Sequence, residues 1–237
     1  NVTIVDLSRK EVIYLLSLIA QKGFSRSTQV QVRTVLKQVC DYAIEIGVRS
    51  DNPAAGVKLK KKVKQIPAHF TKEEVQSIFK IAARYGTTAK WEFALIYGLR
   101  QGERLGLRWK DLTLDTAEPY MTIENQLQRQ TGKGLVLLPV KTSHSVRQIP
   151  LLDSTVGELR THFQAEKIRA ASAGRELSEE DFVFTSAVGG PIDCANDRKE
   201  WIALLLAANV PYRKGHAARH TAATLIGDLN QASKLLG

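Results

Sequence analysis

The chain has 237 residues, enough for two compact domains, and its 43% hydrophobic content can supply a core for each. Its formal net charge of +10 favours a polyanionic partner, either nucleic acid or an anionic membrane surface. No stretch approaches the apolar length of a membrane-spanning helix, which argues against the membrane. The two cysteines, Cys40 and Cys194, form no disulfide or metal-ligand pattern, so a reducing cytoplasm is the expected compartment.

Two amphipathic helices are predicted near the start of the chain. A capping-box pattern at Ser8 and Glu11 begins a helix that runs to about Gln21. A second helix begins near residue 25 or 27 and runs to about Ile46, before Gly47. The apolar face of this second helix is predicted to consist of Val30, Val32, Val35, Leu36, Val39, Ala43 and Ile44. Three cations, Arg26, Arg33 and Lys37, are expected to stay in solvent.

A basic run at residues 58–67, KLKKKVKQIP, has no amphipathic period and ends in proline, so it predicts a linker. It separates a first domain at residues 1–57 from a second at residues 68–237. A solubilising charge run is the alternative, but the net positive charge and the motifs described below favour contact with a nucleic-acid backbone. After the linker, a capping box at residues 71–74 begins a helix to about Tyr85, and a further helix through Trp91 ends before Arg100.

The chain changes character between residues 120 and 151. Three short β-prone runs, at 120–123, 135–140 and 146–149, are broken by polar turns and predict one small three-stranded antiparallel sheet. Helical patterns then return, near residues 153–172, 195–208, 216–227 and 232–236. The predicted fold class is therefore mainly α with a small antiparallel β-sheet insert.

Two short motifs carry arginines with the spacing that a phosphate site needs. Residues 98–103 read GLRQGE around Arg100, and residues 216–220 read HAARH around Arg219. An arginine presents a planar fork of donors, so two of them could clamp the non-bridging oxygens of one phosphate. His216 precedes Arg219 by three residues and would project from the same helix face. Structural salt bridges are the alternative for both arginines, but the paired motifs favour phosphodiester chemistry.

The chain resembles the tyrosine recombinase family, of the phage-integrase type. Residues 97–112, YGLRQGERLGLRWKDL, are similar to the family's first box, and residues 216–221, HAARHT, to its second. Between them, residues 140–151, VKTSHSVRQIPL, are similar to the hairpin that carries the family's catalytic lysine. Residues 52–54 and the helices before them look like the end of the family's core-binding domain. The implied architecture is a helical, SAM-like core-binding domain at 1–57 and a catalytic domain at 68–237, forming a clamp around duplex DNA.

The resemblance implies catalytic roles for four residues. Arg100 and Arg219 would hold the scissile phosphate and stabilise the charge that builds on its oxygens in the pentacoordinate transition state. Lys141 would protonate the departing 5′ oxygen, with an ordinary exposed strand lysine as the alternative. His216 would hydrogen-bond the phosphate or assist proton transfer, with a packed helix histidine as the alternative.

Supporting and DNA-contacting residues follow from the same comparison of motifs. Glu103 would orient an arginine or support the fold, and His220 would support the site next to Arg219. Arg104 and Arg108 are interpreted as a solvated or backbone-contacting surface, because glycines at 102 and 106 weaken a continuous helix there. The expected DNA-binding residues are Arg26, Thr28, Arg33, Lys37, Lys60, Lys62 and Lys64.

The family's nucleophile is a tyrosine that forms a 3′-phosphotyrosine intermediate, yet no tyrosine follows Arg219. Tyr212 precedes His216 and cannot be carried over as that nucleophile. We therefore expect a site-specific recombinase that integrates and excises DNA without a metal or other cofactor, here incomplete at its N-terminus and truncated before the nucleophile. Such a chain binds DNA but does not cut it. Residues are expected to be missing between Asn230 and Gln231, because the tail is shorter than the resemblance leads us to expect.

The implied partners are double-stranded DNA at the core of an attachment site, further copies in a homotetrameric synaptic complex, and DNA-bending and directionality helper proteins. No membrane partner is expected, and the implied location is the cytoplasm or nucleoid of a bacterial host. Two alternatives stay open at this point: a related type IB topoisomerase-like enzyme and a catalytically silent DNA-binding protein.

Overall fold

The computed structural model describes residues 2–59, 69–140 and 145–225. The chain divides into two compact units, Asn1–Ile66 and Pro67–Gly237, and the division falls inside the predicted linker. Three predicted DNA-contacting lysines of that linker lie outside the described residues, as do Lys141, the predicted helix at 232–236 and the expected break after Asn230. In the described parts of the chain, no helix is long and apolar enough to cross a membrane.

The first unit consists of two helices and the turn that follows them. Helix α1 spans Arg9–Gln21 and α2 spans Arg26–Glu45, each close to its predicted bounds. The backbone N–H of Ser8 donates to the Glu11 carboxylate at 2.6 Å, and the Ser25 hydroxyl caps α2. The core of this unit is formed by Val12, Leu16, Ala54 and Val57, with Leu7, Val32, Leu36 and Leu59 packed against it.

The predicted apolar face of α2 is only partly buried. Val32 and Leu36 pack against the core and Ala43 is buried, but Val35 is 55% exposed and Val39 is 46% exposed. The prediction joined two stripes of the helix: positions 32, 36 and 43 share one side, whereas 35 and 39 are turned away from it. Since α1 packs on one side of α2, only the first stripe is covered.

The second unit contains six α-helices among its described residues. They are α3, Lys72–Arg84; α4, Thr88–Leu95; α5, Gln101–Gly106; α6, Asp153–Ser172; α7, Cys194–Ala207; and α8, His216–Leu225. Helix α4 lies at the centre and packs against α3, α6 and α8, with Phe93 and Leu95 fully buried. A T-shaped contact between Phe93 and Phe184, with ring centroids 5.5 Å apart, is part of the surrounding core.

The described strands form two antiparallel sheets instead of the single predicted sheet. The strands are β1, Leu112–Thr113; β2, Tyr120–Ile123; β3, Asn125–Gln130; β4, Gly134–Pro139; and β5, Arg147–Pro150. One sheet has the order β1-β2-β5, in which Met121 lies opposite both Leu112 and Ile149. The other is the β3-β4 hairpin, with Leu127 opposite Leu137. The fold class, mainly α with a small antiparallel β insert, is confirmed.

Two details of the strand prediction are wrong. The run at 135–140 pairs with the unpredicted strand β3, whose sequence NQLQRQ has only Leu127 fully buried and so lacks an alternating apolar pattern. In addition, β4 and β5 pair with different strands, so the described part of segment 140–151 does not form a hairpin of its own. Strand pairing between segments distant in sequence determines both outcomes.

The expectation that two glycines would weaken the helix after Arg100 is also wrong. A Cβ on Gly102 would lie 2.9 Å from the Leu127 carbonyl oxygen, and one on Gly106 would lie 2.8 Å from the Leu127 nitrogen. The missing side chains therefore allow α5 to lie directly on the backbone of β3. As a result, Arg104 is buried rather than solvated, and Arg108 is largely buried and donates to Glu180 at 2.7 Å.

Candidate phosphate-binding site

Arg100 lies at the N-cap position of α5, directly after the turn that ends α4. Gly98 adopts a φ of +63° in this turn, a conformation that side chains other than glycine rarely adopt. The backbone N–H of Arg100 donates to the Glu103 carboxylate at 2.9 Å, and its Nη1 donates to the same group at 2.7 Å. The side chain of Arg100 remains 47% exposed, so the guanidinium is fixed at one end and open to a ligand.

Helix α8 brings Arg219 to the same turn. Its Nη1 donates to the Gly98 carbonyl at 2.9 Å, across 121 residues of sequence. Burial, followed by the charge of Arg100, lowers the pKa of Arg219 to about 10, so the guanidinium is still protonated at neutral pH. Two cations that repel each other in a partly buried place would both be stabilised by an anion between them. The structure therefore brings the two motif arginines together.

His216 is the first residue of α8 and shares a face with Arg219 and His220. The rings of His216 and His220 meet edge to face with centroids 4.9 Å apart. Burial and the neighbouring His220, Arg219 and Arg100 all lower the pKa of His216. At neutral pH its imidazole is therefore uncharged, and can donate one hydrogen bond and accept another.

Glu103 is 2% exposed and accepts hydrogen bonds from two arginines. One is Arg100, and the other is Arg147 of β5, whose Nη2 donates at 2.9 Å. Burial raises the pKa of the Glu103 carboxyl, but the hydrogen bonds and charges of Arg147 and Arg100 outweigh burial and hold its pKa below the usual range. Sequence reasoning gave Arg147 no role, although the residue lies inside the quoted segment 140–151.

A second buried carboxylate holds α5 from α7. Oδ2 of Asp197 accepts from Gln101 at 2.7 Å and from Arg104 at 2.7 Å. The ammonium of Lys90 lies 3.7 Å from Oδ1 of the same carboxylate and also pairs with Glu200. Nothing in the local sequence around Asp197 indicates these partners, and the sequence analysis missed this cluster.

A cavity of about 520 Å³ opens beside the arginines. Arg100, His216 and Arg219 line it together with Trp91 and Trp201, whose ring centroids are 5.0 Å apart. Two further exposed cations, Arg198 and Lys214, line the same cavity. Neither forms an ion pair with a residue that the structure describes, so both are available to an anionic ligand. No sequence pattern had singled them out.

The predicted DNA-contacting residues of the first unit lie on α2. Thr28 is partly buried, and its hydroxyl lies 2.9 Å from that of Ser25. Arg33 donates to the Val57 carbonyl at 2.9 Å, so it is not fully solvated as predicted, because its guanidinium ties α2 to the turn that follows the helix. Lys37 is exposed and pairs with Asp41 at 2.6 Å. Arg26, at the start of α2, is also partly buried rather than fully solvated, because it too makes contacts within the protein.

Comparison with known proteins gives consistent matches in sequence. The family model of the phage integrase family matches residues 68–232. A "tyrosine recombinase XerC-like" protein of Caldanaerobacter subterraneus subsp. tengcongensis is 32% identical, over 92% of this chain and 60% of that protein. The chain thus spans about three fifths of the length of this curated relative.

Solved structures match in fold. The Tn1549 transposon integrase in complex with transposon right end DNA superposes with a TM-score of 0.82 at 21% identity, covering 97% of this chain and 77% of that chain. A lambda integrase dimer bound to a COC′ core site gives a TM-score of 0.67 at 18% identity, over 98% of this chain and 61% of that chain. The family model covers most of the second unit and the expected resemblance is confirmed: the chain belongs to the phage integrase family, the tyrosine recombinases.

Proposed function

We propose that this protein is a site-specific recombinase that breaks and rejoins DNA through a 3′-phosphotyrosine intermediate. The observation that carries the proposal is the convergence of Arg100, Arg219 and His216 on one cavity. The arrangement offers two guanidinium groups and a neutral imidazole to a single anion. A phosphodiester fits this donor set, because planar guanidinium groups match pairs of phosphate oxygens.

In this proposal the arginines act mainly in the transition state. As the phosphorus becomes pentacoordinate, negative charge builds on its non-bridging oxygens, and Arg100 and Arg219 stabilise that charge without reorganising. Glu103 fixes the direction of Arg100, while the Gly98 carbonyl fixes Arg219. His216 hydrogen-bonds the phosphate in its uncharged form.

Lys141 is proposed as the general acid that protonates the departing 5′ oxygen. Its role comes from the resemblance alone, since residues 141–144 lie outside the described structure. The described residues on either side are anchored in the second unit. Val140 donates its backbone N–H to the Glu124 carbonyl at 2.9 Å, and the Ser145 carbonyl accepts from Arg147 at 3.0 Å. A lysine between two such anchors belongs to the same unit as the arginines.

The proposed substrate is duplex DNA at the core of an attachment site. The net charge of +10 and the exposed cations Arg198 and Lys214 at the cavity support a polyanionic ligand. The Tn1549 and lambda integrases named above were solved with DNA. We further propose that residues 1–57 form the core-binding domain, that a homotetramer forms the synaptic complex, and that helper proteins set direction in a bacterial cytoplasm.

A DNA-binding protein that does not cleave is the second candidate. It is favoured by one observation: the last tyrosine of this sequence is Tyr212, which precedes both His216 and Arg219. The family's nucleophile follows the second arginine, so this sequence contains the phosphate-holding groups without the attacking group. On the recombinase proposal, the chain binds duplex DNA but forms no covalent intermediate by itself.

A suicide substrate, a nicked duplex that traps the intermediate, separates the candidates. The given chain and a version extended to the downstream tyrosine are incubated with this DNA and run on a denaturing gel. We expect an adduct only from the extended version, with protein on the 3′ phosphate and a free 5′ hydroxyl. An adduct from the given chain would make Tyr212 the nucleophile. If the extended version forms none on any cognate site, the non-cleaving candidate is correct.

A further inference from the structure

Arg147 is more deeply placed than the arginines of the motif. Its side chain is 8% exposed, against 47% for Arg100. Arg147 opens β5, where it lies opposite Ile123 of β2, and Ile149 two residues later is fully buried in the core. The backbone that carries Arg147 is therefore fixed by the sheet, and its guanidinium cannot reach solvent as Arg100 does.

The Glu103 carboxylate is shared between the two arginines. Its Oε2 accepts from Nη2 of Arg147 at 2.9 Å and from the backbone N–H of Arg100 at 2.9 Å. Its Oε1 accepts from Nη1 of Arg100 at 2.7 Å. Two donors from Arg147 set the plane of the carboxylate, because Nη1 also approaches Oε1 at 3.4 Å. The direction of Arg100 thus depends on Arg147 through one buried group.

Charge acts in the same direction as geometry. The cations that face Glu103 are Arg100 at the start of α5, Arg147 from β5 and Arg219 from α8. Burial alone would raise the pKa of Glu103, and Arg147 is the largest influence that opposes burial. Without Arg147, the carboxylate would take up a proton at a higher pH. A protonated Glu103 would accept fewer hydrogen bonds and hold Arg100 less firmly.

Arg147 also reaches the segment before it in sequence. Its Nη1 donates to the Ser145 carbonyl at 3.0 Å, and Ser145 directly follows residues 141–144. One guanidinium therefore anchors both the carboxylate behind Arg100 and the chain next to the segment that contains Lys141. No other described side chain contacts both places.

We propose that Arg147 is a positioning residue of the recombinase site, acting through Glu103 on Arg100 and through Ser145 on the neighbouring segment. The inference rests on the proposed function. It differs from a structural ion pair in one respect: the loss of Arg147 should move the pH dependence of cleavage, because Glu103 becomes easier to protonate.

The structural link is tested in the given chain without any activity. The carboxyl carbon of Glu103 is followed by NMR while the pH is lowered, in the wild type and in Arg147→Gln. The pKa of Glu103 should lie below its usual range in the wild type and rise in the variant. Arg108→Gln is the matched control, because Arg108 is also a largely buried arginine paired with a carboxylate, that of Glu180. An unchanged Glu103 titration in Arg147→Gln would overturn the proposal.

The functional consequence is tested in the extended, tyrosine-bearing protein. At neutral pH, Arg147→Gln should form the adduct about tenfold more slowly while the Kd for DNA stays within about twofold of wild type. The acid side of its pH profile should move to higher pH, and Arg147→Lys should recover part of the rate. Adding Arg147→Gln to Glu103→Gln should cost little more, because both act on one path.

Two results would count against the positioning role. Wild-type cleavage by Arg147→Gln would do so, and so would a loss that is equal at every pH and matches the loss of thermal stability. If the wild-type protein itself forms no adduct, the proposed function fails, and the NMR titration still decides whether Arg147 controls Glu103.

Discussion

Two buried carboxylates hold helix α5, and they leave their arginines in different states. Asp197 pairs with Arg104, which is 4% exposed, and with Gln101 and Lys90, so the charges there are balanced inside the protein. Glu103 pairs with Arg147 and with Arg100, whose side chain is 47% exposed. The first arrangement completes its ion pairs internally. The second leaves positive charge in excess at the surface, which is what an anion site requires.

The comparison also separates stability from chemistry. A carboxylate whose partners are all buried contributes to folding, because removing it leaves uncompensated charge. A carboxylate that fixes one end of an exposed arginine contributes to how that arginine meets a ligand. Variants at the two positions should therefore differ in which measurement they change.

Asp197→Ala should have the largest effect, and on stability. It leaves Arg104 and Lys90 buried without their carboxylate, so the free energy of unfolding should fall by about 3–5 kcal/mol. Urea denaturation followed by circular dichroism measures this change. The double variant Asp197→Leu with Arg104→Met removes both charges and should recover much of the loss. If Asp197→Ala is as stable as wild type, the cluster does not hold the helix.

Arg100→Ala and Arg219→Ala should act on cleavage instead. In the tyrosine-bearing protein, each should slow adduct formation by about a hundredfold or more while changing DNA affinity far less, because their main contribution comes in the transition state. Rates are measured with a suicide substrate at saturating DNA. Arg108→Ala is the control from the same segment. Equal losses in the Kd and the rate would mean that the two arginines bind DNA without favouring the transition state.

Gly106→Ala should lower the stability of the second unit by about 1–3 kcal/mol, since its Cβ would lie 2.8 Å from the backbone of β3. Gly157→Ala is the matched control, because Gly157 is a helical glycine in α6 with nothing within 4 Å of the added carbon. That change should be neutral or stabilise by up to about 1 kcal/mol. Thermal unfolding of both variants gives the comparison. Equal effects would show that helix propensity, and not close packing on β3, determines the role of Gly106.

The smallest effect is expected at the edge of the cavity. Lys214→Ala and Arg198→Ala should each weaken DNA binding similarly for all sequences and reduce the slope of log K against log salt by about one. Lys167→Ala, an exposed lysine of α6 that does not line the cavity, serves as the control. Fluorescence anisotropy at several salt concentrations measures the slope. An unchanged slope in Lys214→Ala and Arg198→Ala would place the DNA backbone elsewhere.

The sequence predicted the features that depend on local patterns. Capping boxes at Ser8 and Thr71 located the starts of two helices, and the paired motifs located Arg100 and Arg219, which the structure brings to one turn. The roles of these arginines and of Lys141 stay predictions. The fold class followed from the alternation of helical patterns with one β-prone stretch.

Features that depend on contacts between distant segments could not be predicted. Arg147 and Glu103 are 44 residues apart and Asp197 and Arg104 are 93 apart, so no periodicity connects them. Gly106 was interpreted from its low helix propensity, whereas its close approach to β3 determines its role. Strand β3 was missed because its polar sequence is stabilised by pairing with β4.

The second unit is closed by a contact between its two ends. The backbone N–H of Phe70 donates to the hydroxyl of Thr221 at 2.8 Å, and the side chain of Thr221 is fully buried in α8. The pair spans 151 residues, so it forms only after nearly the whole unit has been synthesised. Arg219 lies on that same helix. During translation, Arg100 therefore leaves the ribosome long before its partner, and the nascent chain acquires a complete anion site only in the last step of folding.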